Sequence, residues 1–207
     1  MCENNFHGRT TTIISFSNDE TARKNFGPFT EGFIKIEYDN LAALEKALES
    51  SKNIAGFLVE PIQGEAGVYV PQEGYLSGAQ ELCKQNNVLF IADEVQTGIG
   101  ITGKMWAFQN LSVVPDVISF GKKAQVCGIL ASKEKLNEVE HHVFAESSRI
   151  NSTFGGNFID MLRFQLVLEI IEKAKGVDKI ASMMMILSDK KPYFFADTSI
   201  HVNPTPE

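Results

Sequence analysis

Three short apolar runs constrain this chain more than any other feature. "IAGFLV" (Ile54 to Val59), "VLFIA" (Val88 to Ala92) and "VISF" (Val117 to Phe120) each run into a charge: Glu60, Asp93 and, past Gly121, Lys122. Runs of this length and composition read as strands, buried on both faces, and Pro61 ends the first. Stretches of helical period separate them. Leu41, Leu44, Ala47 and Leu48 share one face of "LAALEKALES" behind Asn40 as N-cap, and "YLSGAQELCKQNN" forms a second helix. "GFIKIEYD" (Gly32 to Asp39) alternates like a further strand, "WAFQNL" reads as a short helix, "GILAS" as a weaker strand and "KEKLNEVEHHV" as a charged helix. "FIDMLRFQLVLEIIEKAK" reads as a long amphipathic helix, with "LRFQLVLEII" packed into the core. Strand and helix in alternation predict an α/β fold, a mainly parallel sheet flanked by helices.

In such sheets ligands gather beyond the carboxyl ends of the strands, so Glu60, Asp93 and Lys122 are expected to line one crevice. Each has a plainer reading alone, Asp93 as a helix cap, Lys122 as a solvated loop residue and Glu60 as a structural acid before Pro61. With 207 residues, 43% of them hydrophobic, the chain is large enough to bury a core. Its net charge of −7 disfavours a nucleic-acid partner, which needs basic surface against phosphate. The N-terminal segment "MCENNFHGRT" is polar and the apolar runs are too short to span a bilayer, so we expect no membrane and a cytoplasmic protein. Three cysteines without paired or metal-type spacing suit a reducing compartment and support no metal site. Cys83 falls on an apolar helical face as core, Cys127 has no paired histidine, and His141 and His142 belong to a charged surface.

A desolvated lysine acts as a nucleophile toward a carbonyl and forms a Schiff base. Pyridoxal phosphate combines such a lysine with an acid that keeps the pyridine nitrogen protonated, and Lys122 and Asp93 match the two roles. "GIGITG" (Gly98, Gly100, Gly103) fits G-x-G-x-x-G by letter only, because "DEVQT" separates it from its strand and no acid follows at the required distance.

Five segments carry a family resemblance: "NFHGRT" (Asn5 to Thr10), "VEPIQGEAGV" (Val59 to Val68), "LFIADEVQTG" (Leu89 to Gly98), "PDVISFGKK" (Pro115 to Lys123) and "NSTFGGN" (Asn151 to Asn157). In this order they resemble the class-III, fold-type-I pyridoxal-phosphate aminotransferases, especially the ornithine and lysine ω-aminotransferases, over about residues 2 to 173. Up to Gly98 the likeness is to the ornithine enzymes, whereas "FGKKAQVCG" and "SRINSTFGGNFIDM" are more similar to lysine 6-aminotransferase, as in a mosaic.

The resemblance implies the large domain of a fold-type-I transferase and a transaminase that moves the terminal amino group of ornithine, or of lysine, to 2-oxoglutarate. It implies that Lys122 carries the cofactor as an internal aldimine and shuttles the proton, with Lys123 as runner-up. Asp93 would pair with the pyridine nitrogen, Gln96 would donate to the phenolic oxygen and Phe6 would stack on the ring. His7 would support the site rather than act as a base. Arg9 would fork the substrate carboxylate, and Glu65 would belong to the gate that lets one pocket take both an amino donor and a dicarboxylate. Glu60 would sit beside that pocket. Ser152 and Thr153 would reach the cofactor phosphate of a neighbouring subunit, so that a homodimer completes the site.

Family members also carry a segment before "NFHGR" and a C-terminal domain, and beyond Lys173 the likeness fades. The expected organisation is a partial cofactor-binding domain, residues 1–175, and a divergent tail without readable structure, residues 176–207. Two other functions remain open: a catalytically inactive remnant that at most dimerises or binds a partner, and another pyridoxal-phosphate reaction such as a mutase.

Overall fold

The computed structural model describes residues 1–150 and 152–180. At its centre lies a sheet of four strands, β1 (Gly56–Val59), β2 (Leu89–Asp93), β3 (Val117–Phe120) and β4 (Gly128–Ala131), in the spatial order β1-β2-β3-β4. The first three run parallel and β4 returns antiparallel beside β3. The helices are α1 (Thr11–Ile14), α2 (Glu20–Arg23), α3 (Leu41–Ser50), α4 (Tyr75–Gln85), α5 (Lys133–Asn137) and α6 (Phe158–Lys173). None of the helices in the described residues is long and apolar enough to cross a membrane.

Local chemistry sets the ends of these elements. The Asn40 side chain accepts the Ala43 N–H at 2.9 Å and starts α3, and Asn157 does the same for Asp160 N–H at the head of α6. Leu44 and Leu48 of α3 and Leu76, Ala79 and Cys83 of α4 then pack with Phe57, Val59 and Phe90 of the sheet into the main core. Burial pushes the Cys83 thiol up to about 12, which makes it an inert apolar group.

Four expectations need correction. β1 and β2 are not buried equally on both faces: their residues alternate between buried and half-buried, because α3 and α4 cover the Phe57 and Phe90 side. Gly32 to Asp39 forms no strand beyond a single bridge between Ile36 and Cys2, since its backbone finds only the first few residues as a partner. The charged helix stops at Asn137 instead of running to Val143, because "KEKLNEVEHHV" has no apolar stripe to bury and α5 holds no buried residue.

The fourth correction is the largest. α6 is a helix as expected, yet "LRFQLVLEII" is not core: none of its residues is buried, and Leu162, Leu166 and Ile170 are exposed. Among the described residues only one edge of α6 engages the body, where Phe164 stacks on Phe120 with centroids 5.1 Å apart and Ile171 joins Ile99 and Ala124. The segment is apolar around most of its circumference, so a single contact edge leaves the rest uncovered. Most of the tail expected from residue 176 lies outside the described residues. Residues 176–180 are helical, and Val177 approaches the Gly100 loop.

Candidate active site

Glu60, Asp93 and Lys122 line the same crevice beyond the strand ends, a cavity of about 90 Å³ that Phe6, His7, Gly8, Val95 and Gln96 complete. Strand register builds its acidic wall. Asp93 is the last residue of β2 and pairs with Ser119 of β3, so the Ser119 hydroxyl reaches Asp93 Oδ1 at 2.9 Å. The Val95 N–H donates to the same oxygen at 3.0 Å, and His7 Nδ1 meets Oδ2 at 2.6 Å. An ionised carboxylate only accepts, so Nδ1 carries the proton of that bond.

Burial alone would push the Asp93 carboxyl up, but the bonds from His7, Val95 and Ser119 outweigh it and hold the group below its ordinary range. Glu60 goes the other way. Burial pushes its carboxyl up and the charge of Asp93 adds to the rise, against the bond from the Phe6 N–H, 3.0 Å to Oε2, the charge of His7 and the Gly64 backbone, which oppose it without cancelling it. Two carboxyls on one wall are therefore driven apart, one kept ionised and one biased toward the neutral form. His7 Nε2 is buried without a hydrogen-bond partner among the described residues.

The opposite wall is basic. Lys122 follows β3 at the start of a 3-10 turn (Lys122–Ala124), half exposed, with Nζ 3.4 Å from Gln96 Oε1 and 3.4 Å from Glu65 Oε1. The same amine lies 6.0 Å from the Phe6 ring centroid. Lys123 turns away and donates to the Gln96 carbonyl, tying down the loop that bears Gln96. On the other side of that loop a Cβ on Gly64 would fall 2.5 Å from the Gln96 carboxamide and would displace that side chain.

A larger cavity of about 460 Å³ adjoins and shares Phe6. Arg9 lines it, with its guanidinium 5.2 Å from the Phe6 centroid, and Glu65 and Asp19 line it too. Ser152 and Thr153 stand apart. Both are exposed in the loop before α6 and belong to neither cavity; Asn151 of the same motif lies outside the described residues.

Three supporting residues escaped the sequence reading. Ser119 is a lone hydroxyl in an apolar strand, a faint signal whose partner only the β2–β3 register identifies. Glu94, fully buried, accepts from the Thr97 hydroxyl at 2.6 Å and from the Ala107 and Phe108 N–H groups at 3.1 and 2.9 Å. It folds the Gly98 to Gly103 loop back on the strand end, and a Cβ on Gly98 would strike Glu94 O at 2.7 Å and the Trp106 ring at 2.8 Å. Gly98 serves packing, whereas Gly100 and Gly103 take the positive φ that the turn needs. Tyr38 donates to the Pro61 carbonyl at 3.0 Å and braces the turn after Glu60.

Known proteins agree with this architecture. Ornithine aminotransferase of Brevibacillus brevis is 50% identical over 162 residues, covering 76% of this chain and 39% of that protein. The Oceanobacillus iheyensis ornithine aminotransferase is 42% identical over 193 residues, 91% of this chain and 46% of that one. Among solved structures, ornithine aminotransferase from Toxoplasma gondii superposes with a TM-score of 0.82 at 39% identity, covering 91% of this chain and 44% of its own. Lysine aminotransferase from Mycobacterium tuberculosis gives 0.77 at 37% identity over 86% of this chain and 44% of its own. The chain thus spans less than half the length of the relatives it matches. The family model of Aminotransferase class-III matches residues 1–191, beyond the expected limit at Lys173, and the chain belongs to the class-III aminotransferases.

Proposed function

We propose that this chain carries the cofactor-binding half of a pyridoxal-phosphate transaminase that moves the terminal amino group of ornithine to 2-oxoglutarate, with lysine as the alternative donor. One observation carries the reading: a carboxylate held ionised by three hydrogen bonds faces, across one small crevice, a half-exposed lysine amine. The donor set fits the cofactor. A carboxylate offers about four acceptor positions, and His7, Ser119 and Val95 use three on Asp93, which leaves one for a protonated ring nitrogen. Bound there, pyridoxal phosphate supplies an electron-accepting ring conjugated to a carbonyl that amines attack.

The chain's own residues would do the rest. Lys122 Nζ is the nucleophile that holds the cofactor and then the base that moves a proton at the substrate carbon. Asp93 keeps the ring nitrogen protonated, and His7 and Ser119 fix the direction of its carboxylate. Phe6 packs on the ring plane, Gln96 donates to the phenolic oxygen, and Glu60, biased toward neutrality, lowers the negative charge near the pocket. Arg9 takes the substrate carboxylate and Glu65 the gate. Ser152 and Thr153, outside the crevice of their own chain, would serve the phosphate of a partner in a cytoplasmic homodimer.

Visible absorption with added pyridoxal phosphate, then borohydride reduction and peptide mass mapping, tests this. The expected result is one phosphopyridoxyl label, on the Lys122 peptide, absent from Lys122→Ala. Label scattered over surface lysines would favour the second reading, a catalytically inactive remnant.

A further inference from the structure

The cavity next to the crevice contains more charge than a carboxylate clamp needs. Glu65 lies at its inner end, 3.4 Å from Lys122 Nζ; Arg9 and Asp19 form the outer end, with Arg9 Nη1 and Asp19 Oδ2 3.9 Å apart. Two acids and a base thus line one cavity, one acid beside Lys122 and the other beside Arg9. The ion pair at the outer end is too long for a hydrogen bond, and both members are exposed, at 66% and 44%. Asp19 is nonetheless held firmly. Its Oδ1 accepts the Ala22 N–H at 3.1 Å, Arg23 Nη1 donates to the carbonyls of Ile14, Ser15 and Ser17 just before it, and Asn18 Oδ1 accepts the Asn4 N–H at 3.3 Å. One oxygen of Asp19 is committed to the backbone, and the other faces Arg9 across the cavity.

We infer that Asp19 is a specificity-determining residue: it accepts the α-ammonium group of the donor while Arg9 takes the adjoining α-carboxylate. The pocket then complements an α,ω-diamino monocarboxylate charge for charge, with the ω-amine at Lys122 and Glu65 and the zwitterionic end at Arg9 and Asp19. Glu65 cannot serve both ends, since it is already beside the reacting amine. Asp19 would thus favour donors bearing an α-amino group over ω-amino acids that lack it. The inference rests on the transaminase reading above.

The discriminating pair is L-ornithine and δ-aminovalerate, which lacks only the α-ammonium group. The full chain with pyridoxal phosphate and no oxo-acid acceptor is titrated with each, and the donor concentration giving half the change in the visible spectrum is compared. Asp19→Asn is the variant, because asparagine still accepts the Ala22 N–H and caps α2. Wild type is expected to favour ornithine by about two- to fivefold, the range of an exposed ion pair, with the preference shrinking as salt is added. In Asp19→Asn the ratio falls to about one; a merely structural defect would weaken both donors together and leave the ratio intact. Equal response to the two donors in wild type, or a preference that survives the substitution, overturns the inference while the cofactor chemistry stands. No spectral change with either donor overturns both this inference and the reading beneath it.

Discussion

The crevice and α6 lie on the same small body and follow opposite rules. At the crevice the acids are matched: Asp93 accepts three bonds, Glu94 three, and Glu60 one at 3.0 Å from the Phe6 backbone. In α6, sixteen residues long, not one is buried, and the apolar side chains that would normally disappear into a core face outward. The acids must be satisfied locally, because an unpaired buried carboxylate costs several kcal/mol wherever it sits. An apolar helix face carries no such local demand. The site is therefore built by its own loops and strand ends, whereas the helix depends on whatever lies against it.

The sharpest way to break this contrast is at Asp93. Asp93→Asn keeps the volume and removes the charge, so the bonds from His7, Ser119 and Val95 lose their ionic acceptor. We expect a loss of about 2–3 kcal/mol in urea unfolding, the scale of a charge-assisted buried bond. Its pH dependence has a definite sign. Because the folded-state carboxyl titrates below its ordinary value of about 3.9, the stability it contributes is complete above that pH and is lost as pH falls through the lower folded value. The gap between wild type and Asp93→Asn should be widest near neutrality and close below about pH 4. Parallel curves down to low pH would mean that the His7, Ser119 and Val95 bonds do not hold the carboxylate ionised.

Much of this was legible in the letters and some was not, for physical reasons. β1, β2 and β3 announce themselves because buried strands need continuous apolar runs, and their ends in Glu60, Asp93 and Lys122 point to the crevice through the geometry of parallel sheets. The bonds that tune Asp93 do not announce themselves. Ser119 lies 26 residues away and His7 lies 86, and only strand register and the path of the N-terminal segment bring them together. Gly32 to Asp39 misleads in the opposite sense: its alternation suits a strand, but a strand needs a neighbour over its whole length and this one has only a bridge. α6 misleads again, since a helical apolar stretch states that something must cover it without stating what.

Within α6 the same contrast reappears at smaller scale. Phe164 stacks on Phe120 beside Ile99 and Ala124, and we expect Phe164→Ala to cost about 2 kcal/mol, less than a fully buried phenylalanine because only one edge is covered.

The smallest expected effect is at Ile170, two turns further along and 64% exposed. A lysine there meets water in this fold, keeps a good helix propensity and lies near the C-terminal end of α6, where positive charge is favoured. Ile170→Lys should therefore change the unfolding free energy of the chain by no more than about 0.5 kcal/mol. Its consequence should be seen in association, since Phe158, Ile159, Leu162, Leu166 and Ile170 expose apolar surface along one helix and such surface drives self-contact. Sedimentation at rising concentration should show less association for Ile170→Lys than for wild type, at unchanged stability. A loss above about 1 kcal/mol instead would mean that Ile170 is covered in the folded protein in solution, and that the α6 face obeys the same rule of local satisfaction as the crevice.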